Sequence, residues 1–399
     1  YAPLGLEPLQ AGGGGGGVEA DAPKRYVDGG AIGVSLIDGD MSATGLGTVT
    51  RVEGDRLVAF GHPMMQSGAT SMPTSVGRII WFLASSQRSF KLGMPVRPLG
   101  AMINDRSNSI VVDQNAKAPT VDFALHIAGL PVATKADWHF AVAQEKFMTP
   151  SLLAVALGSA LQTVASERQD VTWTARSQVV VRGYGTVTLE DYGLSVGGTP
   201  DASELQTTNL VRGVGAFLNN PWEEVRIESV KTELQMHFSR DVLRLRGLEV
   251  LTPEVDAGQS ARLRLHLVPF AGPETTRVVE VPIPAQLAGE TVSLQVKPGY
   301  NEERDAAPPE NLAELIQIAA DPTYPPQSIV VSFRNGDPAV VHHRWVSHSL
   351  PAGALDLLES SSSSAAPMVF RDEVRVVDRT PFFIIGEDVA RVRVKPVLR

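Results

Sequence analysis

From residue 31 the chain breaks into short apolar runs punctuated by glycine and aspartate, the rhythm of a β-protein. The runs at 31–37, 45–52, 56–60, 110–112 and 121–127 read as strands. Between the second and third stands Val52-Glu53-Gly54-Asp55-Arg56, whose Gly and Asp tolerate positive φ, so the pattern predicts a hairpin. Two stretches follow helical spacing instead. In 151–165, Leu152, Val155, Ala156, Ser159 and Ala160 recur at helical intervals after Thr149-Pro150, a start signal. Residues 205–218 read as a second helix, ended by Asn219-Asn220-Pro221, and 171–182 return to β character between the two.

Beyond residue 225 the alternation becomes stricter. Arg262-Leu263-Arg264-Leu265-His266-Leu267 puts the three leucines on one face of a strand, as a half-buried sheet requires. Further runs at 278–283, 292–296 and 329–333 continue it, and those at 374–377 and 389–394 add strands to the same region. A short helical run at 312–320 lies between Pro308-Pro309 and Pro325-Pro326, and five serines at 360–364 predict a flexible loop. Residues 1–30 contain six consecutive glycines at 12–17 and little apolar surface, so they read as a linker. The expected organisation is a linker over 1–30, a β region with accessory helices over 31–220, and an immunoglobulin-like β-sandwich over 221–399. No repeat of a period that would build a solenoid or propeller is evident.

A chain of 399 residues exceeds one ordinary core, and its 43% hydrophobic and 20% charged residues are those of globular protein. No apolar run reaches the roughly 20 residues that cross a bilayer, so no membrane span is expected. The net charge of −9, without a basic stripe, excludes nucleic acid as an expected partner. With no cysteine there is no disulfide, thiol nucleophile or Cys-ligated metal.

The stretch richest in chemistry runs through Phe60-Gly61-His62-Pro63, where the hairpin delivers an imidazole to the end of a strand. Gly61 permits close approach of neighbouring backbone and Pro63 restricts the chain just after the ring. Ser67, Ser71 and Ser75 follow closely, yet Ser67-Gly68 has no strained elbow context and these read as loop serines. His342 and His343 would point to opposite faces of a strand, so with His348 they form no expected metal site. Glu190-Asp191 reads as a solvated turn, not as a pair of catalytic carboxylates. The glycine run lacks the Gly-Lys-Ser/Thr context of a phosphate cradle, and no cofactor is expected.

Gly47-Thr48-Val49-Thr50, a variable turn, an apolar run and Gly61-His62 together resemble the histidine motif of the SpoIVB serine peptidase family. The match is similar to the variant found in large envelope proteins of Gram-negative bacteria, in Phe60-Gly61-His62-Pro63, Ser89-Phe90-Lys91 and Asn104-Asp105-Arg106, although that variant more often has Gln before the Asp-Arg pair. Beyond about residue 130 the likeness is looser. The resemblance implies a chymotrypsin-like β-barrel, His62 as general base, and an Asp that orients it. Asp105 is the first candidate and Asp113 the second, the competing reading of Asp105 being an ion pair with Arg106 or Arg97. The family's Gly-x-Ser-Gly-Ser-Pro nucleophile segment does not occur in the chain. In the variant it precedes the histidine region, so the resemblance implies a Ser-bearing segment upstream of Tyr1, with 12–17 as the tether between barrels. It further implies an exported protein of the cell envelope, periplasmic or on the surface, acting on a polypeptide and inactive as this chain alone. The alternative is a non-catalytic assembly or binding module on the same scaffold, with an envelope protein as its partner.

Overall fold

The computed structural model describes residues 20–87, 90–130, 135–165, 168–302, 309–320, 324–335, 339–342, 345–347, 353, 368–370 and 373–396. The glycine run at 12–17, Ser89, His343, His348 and the serines at 360–364 lie outside them. Strands make up 53% and helices 14% of the described residues, so the protein is mainly β. The chain divides into two compact units. One comprises residues 1–191, 195–237 and 311–320, and the other 192–194, 238–310 and 321–399.

The first unit begins with β1 (Ala31–Gly39), β2 (Ala43–Glu53) and β3 (Arg56–Ala59). The long hairpin of β4 (Gly68–Leu83) and β5 (Phe90–Arg106) follows, then β6 (Ser109–Asp113), β7 (Thr120–Ala128) and β8 (Asp137–Ala143). The expected hairpin is present, Glu53 pairing with Arg56 across Gly54 at φ +60° and Asp55. Strand β1 pairs with β2 on one side and with β4 on the other, through Ile32↔Val76, Gly33↔Ser75 and Val34↔Thr74. The order β1-β2-β3-β6-β5-β4 therefore closes on itself as a six-stranded antiparallel ring. Closure satisfies the edges that an open sheet would leave bare. Gly33 sits where β1 is flanked on both sides. A Cβ there would lie 2.4 Å from Thr44 Cγ2 and 2.9 Å from Ser75 Oγ, so any larger residue would force those side chains to shift. Ile32, Val34, Leu57, Met72, Val76, Ile110 and Val112 are buried in this part of the core.

A register irregularity between Ser35 and Ile37 carries β1 out of the ring, and its end pairs with β8. From there the sheet continues through β7 to β11 (Ile227–His237), β9 (Val171–Val181) and β10 (Gly185–Ser195), with β11 parallel to β7. Helix α1 (Thr149–Val164) packs against β8 and β1. Of the stretch expected as a helix over 205–218, α3 (Asn209–Leu218) is helical, and the short α2 (Ala202–Leu205) ends where that stretch begins. Thr208 adopts extended backbone and its hydroxyl accepts the Val211 N–H, so a hydroxyl residue that favours capping interrupts the run. Helix α4 (Leu312–Ala320) covers the expected span and packs against α3.

The chain is held from well before β1. Tyr26 is buried, its hydroxyl donating to the Leu99 carbonyl at 2.9 Å and its N–H to Gln114 Oε1 at 3.2 Å. Burial pushes the Tyr26 phenol well above its usual range.

The main body of the second unit is a pair of sheets. The first orders β15 (Thr275–Pro282), β14 (Ser260–Pro269), β12 (Val242–Val250) and β22 (Phe383–Ile385). The other orders β13 (Glu254–Val255), β23 (Asp388–Val394), β16 (Thr291–Pro298), β17 (Ser328–Arg334) and β21 (Glu373–Arg379). Leu263, Leu265 and Leu267 from the first sheet share one core with Leu294, Val296, Val331 and Val392 from the second. The period of two thus buries the leucine face as the pattern requires, while Arg262 faces solvent. A three-stranded sheet is formed by β18 (Ala339–His342), β19 (Trp345–Ser347) and β20 (Met368–Phe370). Among the described residues no helix is long and apolar enough to cross a membrane.

Candidate functional site

The loop 60–67 joins β3 to β4 at one end of the ring and carries His62. Its entry is determined by two motif residues. The Phe60 N–H donates to the Thr48 carbonyl at 3.0 Å, and the Phe60 ring lies directly on Gly47. A Cβ on Gly47 would come within 2.2 Å of that ring, which gives the first glycine of Gly-Thr-Val-Thr a physical reason. Phe60 itself has φ +72° and Gln66 has φ +61°, the two positive-φ residues other than glycine among the described residues. Both bracket His62. Strain of this kind persists where surrounding contacts over-determine the backbone, and it concentrates at functional loops.

The contact that holds the loop is Asp105, on β5 opposite Gly68. Its side of the bargain is purely as acceptor: the carboxylate receives the N–H of Met64 at 2.8 Å, that of Met65 at 2.7 Å, and the N–H and hydroxyl of Ser67 at 3.4 Å each. Asp105 is only 1% exposed. Burial works against its ionised form, but the N–H donors of Met64, Met65 and Ser67 outweigh it and hold the carboxyl below its usual range. The carboxylate therefore acts as a clamp on the backbone immediately after His62.

His62 is exposed, with its ring 5.6 Å from that of Phe60. Its Nδ1 lies 2.7 Å from the Pro63 carbonyl oxygen. A carbonyl only accepts, so this contact requires the proton on Nδ1 and makes Nε2 the basic nitrogen.

Asp105 is thus brought to the His62 loop, through main-chain groups two, three and five residues beyond the ring. Of the two arginines in the competing ion-pair reading, Arg106 directs its Nε to Asn104 Oδ1 at 3.0 Å. Asp113 ends β6, where it accepts the Asn115 N–H at 2.9 Å and lies 3.6 Å from Arg56 Nε. Ser67 donates its hydroxyl to Asp105, and Ser75 is buried with its hydroxyl 3.3 Å from that of Ser35. Lys91, of the Ser-Phe-Lys segment, bonds Thr48 Oγ1 and so connects the second matching segment to the first.

Asp191 corrects the reading of Glu190-Asp191 as a solvated turn. It is buried and accepts the Asn209 and Leu210 N–H groups at 2.5 and 3.1 Å, at the start of α3. Burial pushes its carboxyl up despite these two donors. The sequence carries no local sign of this role, because the helix it supports begins 18 residues later. Among the described residues no group of three or more His, Asp or Glu is arranged to hold a metal.

Reasoning from the sequence missed the Pro63 carbonyl as the group that orients the imidazole. Proline fixes φ but leaves open the ψ that aims its carbonyl, so no local pattern marked it. Comparison with protein-family models, with curated proteins and with solved structures finds no match to the chain.

Proposed function

We propose that the first unit is the base-supplying part of a SpoIVB-like serine endopeptidase of the cell envelope, whose nucleophile comes from another segment or chain. One observation carries this reading: an exposed imidazole with Nδ1 directed at the Pro63 carbonyl, on a strained loop clamped by a buried carboxylate. Nε2 then takes the proton of a serine hydroxyl as its oxygen attacks the scissile carbonyl carbon. The Pro63 carbonyl stabilises the imidazolium through Nδ1–H, and the proton passes to the leaving amine. Pro63 fills the part that an orienting Asp plays in a triad. Asp105 is a positioning residue acting through the loop.

In this reading the six-stranded ring corresponds to one barrel of a chymotrypsin-like pair. The second unit is a sandwich of the immunoglobulin-like class that docks the polypeptide substrate or an envelope partner, in the periplasm or at the surface. Its β14–β15 hairpin stays within one sheet, unlike the second and third strands of an immunoglobulin domain, which lie in different sheets.

A non-catalytic envelope module is the second reading. It is favoured by the engagement of Asp105 with backbone and of Ser67 with Asp105, which leaves His62 without a carboxylate or serine hydroxyl among its described hydrogen bonds. Fluorophosphonate labelling separates the two, applied to the chain together with any polypeptide that copurifies with it. Labelling of a copurifying serine that vanishes in His62→Ala, while circular dichroism stays unchanged, supports the peptidase. Labelling indifferent to His62, or none in material containing every copurifying chain, favours the module.

A further inference from the structure

The β4–β5 hairpin outgrows the ring. Gly77 and Gly93 seat its base on Leu46, whose methyls would lie 3.2 and 3.1 Å from a Cβ at either position. Past this point β4 pairs with β5 alone, from Arg78↔Met94 to Leu83↔Phe90. The tip of this two-stranded ribbon carries Ile80, Trp81, Phe82, Leu83 and Leu92, which are between 46% and 66% exposed. An uncovered two-stranded hairpin is marginal in water, and a contiguous apolar patch on it marks an interaction surface.

Which occupant it fits follows from the pleat and the charge. The register Trp81↔Leu92, Phe82↔Lys91 and Leu83↔Phe90 is regular, so Trp81, Leu83 and Leu92 share one face while Phe82 and Lys91 share the opposite one. Large apolar side chains are therefore exposed on both faces at once. A protein groove covers one face, and strand addition along an edge leaves both faces wet. A lipid phase surrounds the ribbon and covers both.

Charge points the same way. No acidic residue occurs between Asp55 and Asp105, a stretch that holds Arg56, Arg78, Arg88, Lys91 and Arg97 in a chain of net charge −9. At the arm's base Arg78 Nη2 lies 3.2 Å from Asp21, which is itself exposed. Tryptophan and phenylalanine flanked by cations are the side chains that settle at the headgroup level of a bilayer. At that depth water still reaches the unpaired edges of the ribbon.

We infer that the tip of the β4–β5 hairpin is an interfacial anchor that inserts Trp81, Phe82 and their neighbours into an anionic lipid surface, holding the protein on a membrane without spanning it. The test is co-sedimentation of the full chain with vesicles of phosphatidylglycerol and phosphatidylcholine, against vesicles of phosphatidylcholine alone. The expected result is binding to the anionic vesicles that salt weakens, and that Trp81→Ser with Phe82→Ser reduces by about tenfold or more. The thermal midpoint should change little, because about two thirds of each residue is already exposed to water. Three results overturn the inference: no binding by the unaltered chain, equal binding by the double variant, or a dimer in light scattering that the double variant dissolves. The last would assign the arm to a second copy of this chain.

Discussion

Asp105→Ala is the perturbation that most directly probes how the His62 loop is held. It removes the acceptor of two short hydrogen bonds, from Met64 and Met65, and two long ones from Ser67. A hydrogen bond to a charged group contributes about 1.5–3 kcal/mol. The loop amides belong to half-buried residues that water partly reaches once the carboxylate is gone, so the loss should total about 3 kcal/mol. That is enough to release the positive-φ backbone at Phe60 and Gln66, each of which costs about 1–3 kcal/mol to maintain. The loop should therefore open locally before the ring unfolds. Urea denaturation measures the loss, and hydrogen exchange at the Met64 and Met65 amides locates it. The pH dependence has a definite sign. The folded carboxyl titrates below its unfolded value of about 4, so its contribution is complete above that value and disappears as pH falls through the lowered one. Equal urea midpoints for Asp105→Ala and the unaltered protein, or unchanged exchange at both amides, would refute the clamp. Asp105→Asn should recover only part of the loss, since one of its two side-chain atoms is a donor facing N–H groups.

Gly47→Ala should destabilise by about 2 kcal/mol, because the new methyl meets the Phe60 ring, and Phe60→Ala in the same chain should relieve much of that cost. A double-mutant cycle by chemical denaturation measures the coupling, and strict additivity would contradict it. Tyr26→Phe should cost about 1 kcal/mol at neutral pH through the lost bond to Leu99. Since burial raises the folded phenol's pKa above the unfolded value of about 10, stability should also fall as pH climbs beyond that value, and the variant should lose this alkaline slope in pH-dependent melting.

The clamp and the strain belong together. A loop with Phe60 and Gln66 at positive φ would relax in isolation, and the Asp105 carboxylate supplies the opposing interactions where β5 runs beside the start of β4. This couples the ring's pairing register to the direction of the imidazole: Gly68 opposite Asp105 puts the carboxylate under Met64 and Met65. A slip of one residue in that register would turn Asp105 to the other face of the sheet and leave the loop unsupported.

The amino-acid pattern makes local structure legible. Apolar runs specified about half of the described strands, and period-two alternation the leucine face of β14, because a pleated strand sends successive side chains to opposite sides. Gly54-Asp55 specified the hairpin, and Gly61-His62-Pro63 identified the residue on which the candidate chemistry turns. The extent of β4 and β5 was not legible, since prolines and glycines interrupt their apolar runs and pairing with each other sustains them. Closure of the ring depended on β1 meeting β4 some 40 residues away, a contact no local pattern encodes. The tertiary structure alone decided that Asp105 holds main-chain amides, that Pro63 orients the imidazole, and that Asp191 caps a helix rather than facing solvent. Each is a hydrogen bond between distant or backbone groups, and its existence depends on the path of the chain rather than on the type of residue.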